Sequence, residues 1–120
     1  MRYITFKDNV RFKRWTPALA FILSKLHELQ NLNDWLPDLV VTSVNDSAHS
    51  KNPLSRHYTD EALDIRSHNF TNEEDTLKFI DLLKKALNPG KIPKFTVLYE
   101  DVGLKNEHIH VQVMKGKTFS

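Results

Sequence analysis

The chain has 120 residues, of which 40% are hydrophobic and 27% are charged, and its formal net charge is +2. This length and composition fit one globular domain, residues 1–120, and exclude a disordered or fibrous chain. Because the chain contains no cysteine, disulfides and thiolate metal sites are excluded, and any metal must be held by histidine, aspartate, glutamate or water.

The N-terminal segment is basic, although the net charge of the whole chain is small. Such a segment can contact phosphates or an anionic wall polymer, but the simpler interpretation is a solvated strand or the edge of a loop. We adopt the simpler interpretation and expect no nucleic-acid partner. The basic residues, which are interleaved with aromatic ones, are Arg2, Lys7, Arg11, Lys13 and Arg14.

No continuous apolar region follows the first basic residues, as it would in a signal peptide. The longest apolar run, ALAFIL at 18–23, is too short to span a bilayer. We therefore expect a soluble cytoplasmic protein that is made without a signal peptide and does not insert into membranes. The sequence does not determine the oligomeric state, for which we favour a monomer.

The first regular elements are a helix and a strand. Thr16 is placed to cap the helix, Pro17 suits its first position, and apolar residues recur at helical spacing up to Leu29. The sequence therefore predicts a helix over 17–31. The segment DLVVTSV is rich in β-branched residues, which predicts a buried strand over 38–44.

Turn-forming residues predict a loop over 45–56, and a second strand is predicted over about 61–66. A second helix should begin at the capping box formed by Thr71 and Glu74 and end before the Pro-Gly pair at 89–90. Its apolar stripe is predicted to consist of Leu77, Ile80, Leu83 and Leu87.

Two further strands are predicted in KFTVLYE and HIHVQVM, joined by DVGLKN, in which Gly103 is available for the turn. The strands and helices are segregated along the chain, and the last two strands are consecutive. These features predict an α+β fold in which helices pack on one face of a small, largely antiparallel sheet.

Several metal-binding residue types fall on these predicted strands. His57 and Asp64 are seven residues apart, and His108 and His110 share one face of the last strand because alternate side chains point the same way. Two imidazoles and one carboxylate that leave a position for water form the type of ligand set that catalytic zinc uses.

The segments that carry these residues resemble a known superfamily. SRHYTDEALDI is similar to the SxHxxGxAxD signature of the hedgehog and D-alanyl-D-alanine metallopeptidase superfamily, and HIHVQV is similar to its closing HxH strand. With VVTSVNDSAH, these motifs follow the superfamily's order over about residues 38–114 and look closest to hedgehog domains and small phage-encoded relatives. The resemblance implies the hedgehog/DD-peptidase fold.

The resemblance also implies roles for individual residues. His57, Asp64 and His110 would bind Zn²⁺, while His108 would line the site and polarise the substrate or steady the tetrahedral intermediate. Two residues match the small positions of the first motif, Ser55 and Ala62.

The resemblance leaves two candidates for the general base. Glu107 has the ExxH spacing to His110 that the family commonly uses and is our first choice. On an ideal strand, however, residue 107 faces away from 108 and 110, so Glu107 suits this role only if the strand begins after it. Glu100, at the end of the preceding strand, matches the acid of hedgehog-like members and is the alternative.

Two departures from the superfamily pattern bear on catalysis. Asp60 replaces the glycine of the first motif, and Asn45 and Asp46 stand where many of the peptidases have an arginine that steadies the oxyanion. His49 matches a histidine that follows an acidic loop in hedgehog-like and phage relatives, and the resemblance implies that it can act as an electrophilic helper.

The function implied by the resemblance is a zinc peptidase that cuts peptidoglycan stem peptides at the D-Ala-D-Ala or the L-Ala-D-Glu bond. Such an enzyme would be encoded by a phage or prophage and would meet the cell wall after holin-mediated release or in a virion. The alternative is a zinc-stabilised binding or structural module on the same fold, which the replacements at Asp60 and Asp46 favour.

Overall fold

The computed structural model describes residues 3–8, 10–11, 13–44, 61–114, 116–117 and 119. Within these ranges the chain forms two helices and five strands, which confirms an α+β fold. The predicted loop over 45–56 lies outside the described residues. The elements in chain order are β1 (Ile4–Phe6), α1 (Pro17–Leu32), β2 (Leu39–Ser43), β3 (Ala62–Arg66), α2 (Glu73–Leu87), β4 (Phe95–Glu100) and β5 (His108–Val113).

The five strands form one mixed sheet in the order β1-β2-β3-β5-β4. Strand β1 pairs in parallel with β2, with Ile4 opposite Leu39, and the other three pairings are antiparallel. Part of the basic N-terminal segment is therefore an edge strand. Pairing with β2 orders this short strand, an interaction that local composition does not reveal.

Both helices pack against the same face of the sheet. Side chains from alternate positions of the strands, including Leu63 and Ile65 of β3 and Ile109 and Val111 of β5, are fully buried and form one core with the helices. The opposite face carries the intervening residues, which are mainly polar on β3 and β5. Neither described helix is long and apolar enough to cross a membrane.

The helix boundaries follow from their caps. The Thr16 hydroxyl accepts a hydrogen bond from the Leu19 N–H at 3.2 Å, as predicted for the start of α1. Helix α2 begins one residue later than its predicted capping box, because Asn72, and not Thr71, is the cap and accepts a hydrogen bond from the Asp75 N–H at 2.8 Å.

The buried stripe of α2 differs from the prediction at one position. Ile80, Leu83 and Leu87 are buried as expected, but Leu77 is 51% exposed and Phe79 is fully buried in its place. The helix turns about 100° per residue, so a stripe centred on residues 76, 80, 83 and 87 leaves position 77 at its margin.

The cap assignment predicts different stabilities for two neighbouring variants. Asn72→Ala should lower the free energy of unfolding by about 1 kcal/mol, because the first turn of α2 loses the acceptor for the Asp75 N–H. Thr71→Ala is the matched control and should change stability much less. Urea denaturation of both variants measures the difference, and an equal or larger loss for Thr71→Ala would contradict the assignment.

Candidate functional site

The face of the sheet opposite the helices carries a cluster of four ionisable side chains. Asp64 of β3 lies opposite His110 of β5, and His108 of β5 lies opposite Glu100 of β4. Cross-strand neighbours point to the same side of a sheet. The strand register therefore brings these four side chains together from three different strands; we call them the acid–imidazole cluster.

Asp64 lies between the two imidazoles of this cluster. Its Oδ1 atom is 2.9 Å from Nδ1 of His110 and 3.8 Å from Nε2 of His108. Nε2 of His108 is in turn 2.9 Å from Oε1 of Glu100. The side chain of Glu100 is 42% exposed, whereas those of the other three are between 10% and 19% exposed. The cluster is therefore mostly shielded, with one carboxylate open to solvent.

The position of the His108 ring fixes one of its protons. Its Nδ1 atom is 2.8 Å from the backbone carbonyl oxygen of Asn106, which can only accept a hydrogen bond, so Nδ1 carries hydrogen. Burial lowers the pKa of His108, but the Asn106 carbonyl and the charges of Asp64 and Glu100 raise it more, and the pKa is raised overall. The arrangement therefore favours a cationic His108.

His110 also has an oxygen atom at each ring nitrogen. Its Nε2 atom is 2.7 Å from Oε1 of Gln112, two residues further along the same face of β5. Burial lowers the pKa of His110, while the hydrogen bonds to Asp64 and Gln112 raise it by more, and the pKa is raised overall. A neutral imidazole carries hydrogen on only one of its two nitrogens. With Nε2–H donated to Gln112, a second proton or a cation at Nδ1 is therefore needed for a favourable contact with the Asp64 oxygen.

The chemistry of Asp64 and His110 fits two ligands of one zinc ion. Donors that share a tetrahedral zinc lie about 3.4 Å apart, given metal–donor distances of about 2.1 Å, so the observed 2.9 Å between Oδ1 and Nδ1 would widen only slightly. The Gln112 oxygen matches the outer hydrogen bond that orients metal-binding histidines. Within the described ranges no group of three or more such side chains is arranged to hold a metal.

Other predicted site residues lie outside the described part of the chain. These include the third predicted ligand, His57, and the predicted electrophilic helper, His49. The same is true of the small motif residue Ser55 and of the two departures at Asp60 and Asp46. Ala62 is described and is fully buried on β3, as its small-residue position in the motif suggests.

Glu107 lies just before β5 and makes contacts of a different kind. Its carboxylate accepts hydrogen bonds from the Ser67 hydroxyl at 2.8 Å, from the Gly103 N–H at 2.9 Å and from the Tyr99 hydroxyl. Tyr99 alternates with Glu100 along β4 and therefore points to the helix side of the sheet. We call these contacts the Glu107 clamp; they tie the carboxylate to Ser67, Tyr99 and Gly103 and not to a member of the acid–imidazole cluster.

The clamp changes the ionisation of both of its acidic groups. Burial and the hydrogen bond to Glu107 raise the pKa of Tyr99 to about 12. The hydrogen bond from Tyr99, followed by those from Gly103 and Ser67, lowers the pKa of Glu107. A carboxylate with three donors and a lowered pKa is stabilised in its charged form, which makes it a weaker proton acceptor.

Sequence reasoning missed Gln112, Asn106, Tyr99 and Ser67. The position of Gln112 could have been predicted from the sequence, because it continues the alternation that places His108 and His110 on one face of the strand. The Asn106 contact uses a backbone carbonyl and carries no sequence signal. Tyr99 lies on β4 and Ser67 directly follows β3, so both meet Glu107 only through the tertiary fold.

The clamp predicts a loss of stability in alkali. Tyr99 holds its proton more tightly in the folded protein than in the unfolded chain, so the free energy of unfolding should fall as the pH rises from 10.0 to about 12. Tyr99→Phe should flatten this part of the profile, and Tyr3→Phe, at an exposed tyrosine, should not. Chemical denaturation at a series of pH values measures both; an unchanged profile in Tyr99→Phe contradicts the clamp.

In acid the same clamp acts through Glu107 with the opposite sign. Because folding lowers the pKa of Glu107, its stabilising effect is present above the pKa of an unfolded glutamate and is lost as the pH falls through the folded value. Glu107→Gln should therefore make stability less sensitive to acid and lower it at neutral pH, because the hydrogen bonds to the charged carboxylate are weakened. The same denaturation series tests this expectation.

Comparisons with known proteins do not assign the chain to a family. No family model matches the sequence, no curated protein matches it, and no solved structure matches the chain. The resemblance to the hedgehog and D-alanyl-D-alanine metallopeptidase superfamily therefore depends on the sequence motifs alone.

Proposed function

We propose that the protein is a zinc-dependent peptidase that hydrolyses peptidoglycan stem peptides. The observation that carries this proposal is the acid–imidazole cluster, in which Asp64 contacts His110 while His108 contacts Glu100 on the side of the sheet away from the helices. The motifs around these residues suggest the substrate, cut at the D-Ala-D-Ala or the L-Ala-D-Glu bond. A phage or prophage enzyme of this kind would reach the wall after holin-mediated release or in a virion.

The proposed ligands are His57, Asp64 and His110. When bound there, zinc polarises a peptide carbonyl and makes water a stronger acid. The Gln112 oxygen accepts the Nε2 hydrogen of His110 and leaves Nδ1 directed at Asp64. This second contact fixes the ring orientation, which is the usual support for a metal-binding histidine.

Glu100 is the better-placed general base in this mechanism. Its carboxylate contacts His108 and remains partly open to solvent, whereas the carboxylate of Glu107 already accepts three hydrogen bonds in the clamp. Glu100 would take a proton from the attacking water and pass it to the leaving amine. His108, whose Nδ1 hydrogen is held by the Asn106 carbonyl, would share its Nε2 hydrogen between Glu100 and the substrate's carbonyl oxygen as negative charge develops there.

A zinc-stabilised binding or structural module is the second candidate. The specific observation in its favour is the Glu107 clamp, because the acid that the family motif favours as the base has a structural role. In that case the cluster would hold the metal and the protein would act through its surface without turnover.

Removal of a ligand should lower both zinc content and stability. At a free zinc concentration about 100 times the dissociation constant, a metal that binds only the folded state adds about 2.7 kcal/mol to the free energy of unfolding. His57→Ala and His110→Ala should lose this increment, and His27→Ala, on the exposed side of α1, should keep it. Elemental analysis and denaturation with and without zinc measure the effect; equal behaviour of all three variants refutes the ligand assignment.

A turnover assay should distinguish between the two candidate general bases, Glu100 and Glu107. Glu100→Gln should lower kcat on muropeptides by about 100-fold or more while zinc stays bound, because the proton acceptor is lost. Glu107→Gln should act mainly on stability. Release of free amine measures turnover. A wild-type protein that holds zinc but cuts no wall fragment would leave the binding module as the function.

A further inference from the structure

A cavity of about 440 Å³ adjoins the acid–imidazole cluster and has a basic lining. Asp64 and His108 line it together with three cationic side chains, Lys7, Arg66 and Lys105. We propose that this cavity binds a free carboxylate of the substrate close to the bond that is cut. The inference rests on the proposed peptidase function and adds a recognition site for the substrate.

The three cations come from separate parts of the fold. Lys7 follows the edge strand β1, Arg66 ends β3, and Lys105 lies in the connection between β4 and β5. No carboxylate of the described ranges forms an ion pair with any of them. Their convergence on one cavity concentrates positive charge, and a concave surface strengthens the attraction for an anion.

The two acids that line the cavity, Asp64 and Glu107, cancel part of this charge. The Asp64 carboxylate contacts the imidazole of His110, and its charge would be shared further with a bound metal. The Glu107 carboxylate is held by the clamp on the Tyr99 side. The three cationic side chains outnumber the two carboxylates, so the lining keeps a positive balance, which suits a carboxylate.

The position of Arg66 sets how far the carboxylate lies from the reacting bond. Arg66 follows Asp64 by two residues on the same face of β3, a spacing of about 6.6 Å, and pairs in register with His108. Extended peptides advance about 3.3 to 3.6 Å per residue. An anion held at Arg66 would thus belong to a residue one or two positions from the bond at the cluster. The planar guanidinium also matches both oxygens of a carboxylate.

The test compares one peptide with its amide. L-lysyl-D-alanyl-D-alanine and its C-terminal amide differ only in the carboxylate, and binding can be followed by NMR titration of the zinc-loaded Glu100→Gln protein, which should not turn them over. We expect the acid to bind about tenfold more tightly than the amide, the effect of one charge-assisted contact. The preference should weaken at high salt because the cavity is open to solvent.

Three substitutions identify the groups responsible. Arg66→Gln and Lys105→Gln should each reduce the preference for the acid, and Arg66→Lys should retain part of it because the charge remains. Lys91→Gln, at an exposed lysine that does not line the cavity, should leave the preference unchanged. NMR spectra of each variant without peptide verify that it is folded.

The outcomes separate this inference from the peptidase proposal. Equal binding of acid and amide, or a preference that survives both Arg66→Gln and Lys105→Gln, overturns the carboxylate site even if the wild-type protein hydrolyses peptides. A preference for the acid that these variants abolish supports the site even if no hydrolysis is detected, and then it is the peptidase proposal that fails.

Discussion

The pairing of β3 with β5 is the constraint on which the candidate site depends. It sets Asp64 opposite His110 and, one pair further, Arg66 opposite His108. A slip of one residue would turn these side chains into the core and bring Ile65 and Ile109 to the polar face. The fully buried apolar residues of both strands oppose such a slip. Burial on one face of the sheet therefore fixes the geometry of ionisable groups on the other.

In this register, the cluster brings groups of opposite charge together where they are largely shielded from solvent. Two carboxylates and two imidazoles lie within hydrogen-bonding distance in pairs, and Asp64 is close to both rings. Burial alone would make each ring less basic, yet the oxygens around it raise its pKa. The site thus stabilises positive charge, whether that charge is a proton or a metal ion, because anionic and carbonyl oxygens outnumber the donors around the rings.

Local signals were sufficient to predict most of the regular structure. Thr16 and Pro17 marked the start of α1, and alternation in HIHVQV placed His108 and His110 on one face before any pairing was known. Features that depend on contacts between segments distant in the chain could not be predicted from local signals. The parallel pairing of β1 had no signal in its own composition, and the Glu107 clamp depends on Tyr99 and Ser67, which approach only when β3, β4 and β5 are assembled.

The Glu107 clamp and the acid–imidazole cluster use consecutive residues of the same two strand ends. Tyr99 and Glu100 are neighbours, as are Glu107 and His108, and in each pair one side chain belongs to the clamp and the other to the cluster. One hairpin therefore carries residues of both the clamp and the cluster. Natural selection cannot adjust the anchoring of this hairpin without also moving the reactive groups, so the two sets of residues are expected to evolve as a unit.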